Sequence, residues 1–110
     1  MGVTRSEIFS DEHNQLASLF KVLGHPARIA ILQQIIHRKA CICNDLVEEL
    51  GLAQPTISQH LKELKNIGII QGTIEGKAVC YCIDETVWKE MQKQFNHFFN
   101  QNVSISGECC

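Results

Sequence analysis

Apolar positions in this chain fall at helical spacing, then at strand spacing, then at helical spacing again. Leu16, Leu19, Phe20 and Leu23 lie on one stripe of a first helix, with Ser10 or Asp11 able to cap its start and Gly24 to end it. A second helix is predicted from about Pro26, a position where a first-turn proline is tolerated, to His37. Its Ile29, Ile31, Leu32, Ile35 and Ile36 cover most of the circumference, the pattern of a central, buried helix. Lys39 to Cys43 reads as short and extended, or as the start of the next helix. Asn44 or Asp45 can cap a short third helix with Leu46, Val47 and Leu50 inward, ended by Gly51. After a tight turn at Leu52 and Ala53, a fourth helix runs from Pro55 to about Asn66 and buries Ile57, Leu61 and Leu64, with Gly68 closing it. Ile69 to Glu75 and Lys77 to Ile83 read as two strands turning at Glu75-Gly76. Asp84 caps a last helix to about Asn100, whose apolar residues are Val87, Trp88, Met91, Phe95, Phe98 and Phe99. The expected fold is mainly α with a small β-hairpin (α+β), one domain over residues 1–110 with an ordered core at about 8–100 and a polar, mobile tail from Gln101 to Cys110.

Leu46 to Leu64 has the layout of a helix-turn-helix: a short helix, a Gly-containing turn, a second helix. In such a unit the second helix lies in the DNA major groove and presents its N-terminal part to base edges. With Ile57, Leu61 and Leu64 inward, Thr56, Ser58, Gln59 and Lys62 face outward. Gln59 can bond an adenine edge bidentately, and Thr56, Ser58 and Gln54 can bond phosphate or base. Lys62 and Lys65 bring positive charge, and His60 sits where it either touches DNA or packs and bonds internally. The outer face carries compact donors and acceptors instead of the Lys/Glu lattice of a merely solvated helix. A hairpin follows at once with Lys77 at its tip, the layout of a wing reaching the DNA backbone or the minor groove.

Composition narrows the partners. A chain of 110 residues with 45% hydrophobic residues folds around one modest core. A net charge of -2 argues against broad nucleic-acid affinity, so any DNA binding rests on local charge on one face. No apolar run approaches the ~20 residues of a membrane span, and Met1 to Asp11 lacks a secretion signal's layout, so the expected compartment is the cytoplasm. Six cysteines come as Cys41/Cys43, Cys80/Cys82 and Cys109/Cys110. In the cytosol, close cysteine pairs point to metal or redox chemistry, against the alternative of small buried apolar residues. No Cys/His arrangement or phosphate-cradling glycine loop argues for an enzyme.

Gly24-His25-Pro26-Ala27-Arg28 and Leu50-Gly51-Leu52-Ala53-Gln54-Pro55-Thr56-Ile57-Ser58-Gln59-His60-Leu61 resemble the ArsR/SmtB family of metal-responsive bacterial repressors. Leu64-Lys65-Asn66-Ile67-Gly68-Ile69-Ile70, with Gly76-Lys77 and Tyr81, is similar to that family's wing, and the resemblance covers roughly Leu16 to Phe98. It implies a winged helix-turn-helix homodimer built from the first and last helices, bound to double-stranded operator DNA until an inducer releases it. Leu16, Leu19, Trp88, Met91, Phe95, Phe98 and Phe99 are the expected interface, and the last helix alone carries more aromatic surface than one small core can bury.

The resemblance also assigns a sensor. The family's arsenic-type sensors carry Cys-x-Cys at the start of the third helix, where Cys41 and Cys43 fall, and thiolates there bind As(III), Cd(II) or Zn(II). Two departures stand out: Asn44 separates Cys43 from Asp45-Leu46, and Val47 stands where the usual third cysteine would follow. Cys109 and Cys110 on the tail are the candidates to complete the site, and Cys80 and Cys82, sharing one face of a strand, are the second choice. The family's other site, built from Asp and His on the last helix, is not expected here, since Thr86 replaces a His and His97 is isolated. The alternative sensor chemistry is thiol oxidation or persulfide formation in the same fold.

Overall fold

The computed structural model describes residues 8–39, 41–43, 50–73, 80–104 and 107, with Ile42 and Cys43 described by their backbone. Helix α1 (Asp11–Leu23) starts where Ser10 accepts a hydrogen bond from the His13 N–H at 3.1 Å, with Asp11 and Glu12 in its positively polarised first turn. Helix α2 (Pro26–Arg38) has proline in its first turn, and His25 Nδ1 caps it by accepting from the Ala27 N–H at 3.1 Å. Lys39, in the left-handed region at φ 54°, ends α2 by returning its N–H to the Ile35 and Ile36 carbonyls. Helix α3 (Gln54–Asn66) begins one residue before the expected proline and has no side-chain cap. Helix α4 (Glu85–Phe99) is capped by Asp84, whose Oδ1 accepts from the Thr86 and Val87 N–H groups.

The strands form the expected hairpin and add a third strand to it. Strand β1 (Ile42–Cys43) pairs antiparallel with β3 (Cys80–Ile83), which also pairs with β2 (Ile70–Thr73), giving a three-stranded sheet in the order β1-β3-β2. The segment after α2 is therefore extended rather than a helix start. Gly72, at φ 126°, lies so close to β3 that a Cβ there would collide with the Cys80 and Tyr81 backbone. Most of the short helix expected before Gly51, with Leu46 and Val47, lies outside the described residues, as do the hairpin tip with Lys77 and the tail cysteines Cys109 and Cys110.

The core joins Leu19 of α1, Ile31, Leu32 and Ile35 of α2, Ile57, Leu61 and Leu64 of α3, Ile69 and Ile70, Tyr81 of β3 and Met91 of α4. Helix α2 is buried less completely than its pattern implies, for Ile29 and Ile36 remain 42% and 44% exposed. Backbone bonds from Ile69 N–H to Leu64 O and from Asp84 N–H to Ile69 O tie the end of α3, the sheet and the start of α4 together. No described helix is long and apolar enough to cross a membrane.

Candidate nucleic-acid interface and thiol cleft

The buried stripe of α3 fixes which of its residues face out. Ile57, Leu61 and Leu64 are held in the core, so Gln54, Thr56, Gln59, Lys62 and Lys65 are exposed and Ser58 is half-buried. One helical turn apart, Gln54 Nε2 donates to Ser58 Oγ and Gln59 Nε2 to Glu63 Oε1, each at 3.3 Å. These exposed bonds hold the amides in place without burying them, so a base edge can take them over. Lys65 Nζ donates to the Gly72 carbonyl at 2.7 Å, pinning the end of α3 to β2.

His60 turns inward. It is 8% exposed, and its Nδ1 accepts from Arg28 Nε at 3.1 Å, while Arg28 Nη1 donates to the Val22 carbonyl at 3.0 Å. The His25 ring lies 4.4 Å from it, centroid to centroid. Burial first, then the charges of His25 and Arg28, hold the His60 pKa below the ordinary histidine value, with Glu63 opposing them. A neutral imidazole is what the geometry requires, because Nδ1 must keep its lone pair to accept from arginine. Of the two roles open to His60, the structure takes internal packing: it positions α3 against α2. In the sequence His25 and Arg28 stand only as part of a motif, and their service to α3 becomes visible only in three dimensions.

The cysteines regroup across the sheet. Cys43 stands opposite Cys80, and Ile42 opposite Tyr81. Cys41 is exposed, Cys82 half-buried, and both are free thiols. Interaction with the neighbouring Cys41 thiol, then burial, then the charge of Cys41 push the Cys82 thiol pKa up. Cys80 is disulfide-bonded. Cys41 and Cys82 line a cleft of about 750 Å³ between the end of α2, β3 and the start of α4, along with Lys39, Asp84 and Glu85. Among the described residues, no group of three or more metal-binding side chains is assembled. The signal available in the sequence was two Cys-x-Cys runs of equal spacing, each in an extended segment.

The expected interface residues divide between two environments. Leu19 and Met91 belong to the chain's own core, with Trp88 and Phe95 partly buried against it and Leu16 half-buried. Phe20, Phe98 and Phe99 are 38%, 44% and 67% exposed. Phe20 stacks on Phe95 at 4.9 Å and meets Phe98 and Phe99 edge-on at 5.9 and 6.0 Å. This aromatic surface joins α1 to the C-terminal end of α4.

Residues 25–71, from the cap of α2 into β2, match the family described as bacterial regulatory protein, arsR family. An HTH-type transcriptional regulator of Methanocaldococcus jannaschii is 36% identical over 84 residues, covering 76% of this chain and 93% of the relative. The chain belongs to the ArsR family. The arsenical resistance operon repressor of Staphylococcus xylosus is 29% identical over 93 residues, covering 84% of this chain and 81% of that protein. The crystal structure of NolR from Sinorhizobium fredii superposes with a TM-score of 0.60 over 93% of this chain and 99% of that one, at 18% identity, a likeness of fold. This ArsR-family chain is thus a transcriptional regulator with a winged helix-turn-helix fold.

Proposed function

We propose that this ArsR-family repressor binds its operator as a homodimer through the outer face of α3 and releases it when a thiophilic metal or metalloid ion binds its cysteines. The observation that carries the DNA contact is the exposure of Gln54, Thr56, Gln59, Lys62 and Lys65 on a helix whose opposite stripe is locked in the core. Gln59 reads a base edge, Thr56 and Ser58 bond phosphate or base, Lys62 and Lys65 neutralise phosphates, and Lys77 extends the contact from the wing. Two protomers present two such faces, which offsets the formal charge of -2 on each chain.

The test is retardation and footprinting of the DNA upstream of the chain's own gene. The wild type should protect it, and a Gln59→Ala/Lys62→Ala double variant should not. Lys62→Ala alone should weaken binding to all sequences alike and lower the salt slope by about 0.9 for each phosphate it no longer neutralises. Equal protection by wild type and the double variant would refute the assigned face.

For the inducer, the free thiols of Cys41 and Cys82 and the likeness to an arsenical resistance operon repressor support a thiolate-bound ion, with As(III), Cd(II) and Zn(II) as the ions to try. Cys43, Cys109 and Cys110 are the other cysteines to test as sulfur donors. A second reading has its own observation: the disulfide at Cys80 favours release by thiol oxidation or persulfide formation. Arsenite, cadmium and zinc titrated against the repressor–DNA complex under reducing conditions separate the two. Release by none of them, with release by hydroperoxide or persulfide, establishes the redox reading.

A further inference from the structure

Two thiols meet where the wing joins the chain leading toward α3. Cys41 lies two residues beyond the cap of α2 and directly before β1, and Cys82 lies on β3. The register that sets Ile42 against Tyr81 and Cys43 against Cys80 continues to set Cys41 against Cys82. Side chains of directly opposed residues leave the same face of a sheet. Both thiols are free and open to the same cleft as Asp84 and Glu85. A tetrahedral ion with metal–sulfur bonds of about 2.3 Å holds its sulfurs about 3.8 Å apart. Directly opposed residues of an antiparallel pair hold their Cβ atoms about 4.5–5.5 Å apart, within reach of that separation.

We propose that Cys41 and Cys82 form one site, a cross-strand dithiolate for a thiophilic divalent cation such as Zn2+ or Cd2+, and that filling it resets the wing against α3. This rests on the reading that the repressor answers to a thiophilic ion, and gives that reading its residues. The donors come from two strands instead of from two neighbouring residues, so the ion ties the segment after α2 to the inner strand of the wing. Asp84, at the next bend of the chain, caps α4, so strain at Cys82 also reaches the start of that helix. As each metal–sulfur bond forms, its thiol gives a proton to solvent: two protons leave per ion and no electrons move. Water fills the remaining positions. Cys80, being disulfide-bonded, lies outside this donor set.

Cd2+ alone, titrated into the full chain without DNA, tests the site through thiolate-to-cadmium charge-transfer absorption and proton release. The wild type should develop the band and release two protons per ion. Cys41→Ser and Cys82→Ser should each lose most of the band and bind about 100-fold or more weakly. A Cys109→Ser/Cys110→Ser variant should match the wild type. An unchanged band in Cys82→Ser, a missing band in the tail variant, or no cadmium binding by the wild type overturns the site. Retardation of operator DNA by the metal-free proteins is read in parallel and reports both folding and the DNA-binding function. If the metal-free wild type fails to retard DNA while the cadmium results hold, the DNA reading falls and the site stands. Cadmium bound through both cysteines without release of DNA overturns the coupling to the wing.

Discussion

At the scale of single residues, His60 shows how a polar side chain on a DNA-binding helix can serve the scaffold. Its Nδ1 accepts from Arg28, whose other bond reaches the end of α1, so one guanidinium joins α1, α2 and α3. His60→Ala leaves the Arg28 Nε donor unanswered in a part-buried site and should cost about 1–3 kcal/mol of stability, read by urea denaturation. The pH dependence has a definite sign. The His60 pKa is lowered in the folded state, so the unfolded chain takes up the proton first as pH falls. Its contribution is intact above the ordinary histidine value of about 6.5 and is lost as pH falls through the lower folded value. Wild type minus His60→Ala, measured at stepped pH, should therefore show a stability difference that shrinks toward acid. A difference that grows toward acid would mean that His60 is held protonated. The sequence left both roles of this histidine open because a position at the edge of an apolar stripe does not reveal what sits opposite, and Arg28 lies 32 residues away.

At the scale of elements, the helices were legible and the sheet was only half so. Ser10, Gly24, Pro26 and Asp84 act on the backbone beside them, which is why each appears in the sequence as a start or stop signal. Strand β1 has two residues, too few for a periodicity, and its partner β3 comes only after α3 and β2 in the chain. The cysteines were grouped by nearness in the chain, whereas antiparallel pairing groups them by register. The wing also depends on Gly72, whose φ of 126° and closeness to the β3 backbone leave no room for a Cβ. Gly72→Ala should lower stability by about 1–3 kcal/mol or more and weaken operator binding beyond what the drop in stability explains. Gly51 gives the comparison. It has a positive φ of 68° and open space around it, so Gly51→Ala should cost only the conformational term, about 1–2 kcal/mol. Thermal denaturation of the pair checks the order, and a milder effect at Gly72 would show that β2 and β3 separate at little cost.

At the scale of the whole molecule, the aromatic surface on α1 and α4 asks for a partner. Phe20, Phe98 and Phe99 sit edge to face with one another, an arrangement that gives the cluster a fixed shape while leaving Phe99 67% exposed. A second copy of the chain supplies the same surface, and a two-fold pairing of like patches is the commonest way a small protein closes one. Full burial of a Phe side chain is worth roughly 1.5–3 kcal/mol, and a symmetric pairing counts each ring twice. Phe98→Ala/Phe99→Ala should therefore raise the dimer dissociation constant by about 100-fold or more, equivalent to about 2.7 kcal/mol, as read by sedimentation equilibrium. The core residues Leu19 and Met91 are untouched by the change, so the protomer should keep its helical content. DNA binding then distinguishes dimer loss from damage at α3. A protomer with an intact α3 but no partner binds one half-site and forfeits the gain in effective concentration that its twin provides. Operator affinity should fall steeply at low protein concentration and recover as concentration rises through the new dissociation constant. If the variant stays dimeric with unchanged operator affinity, the two protomers meet through some other face and the aromatic surface serves another purpose.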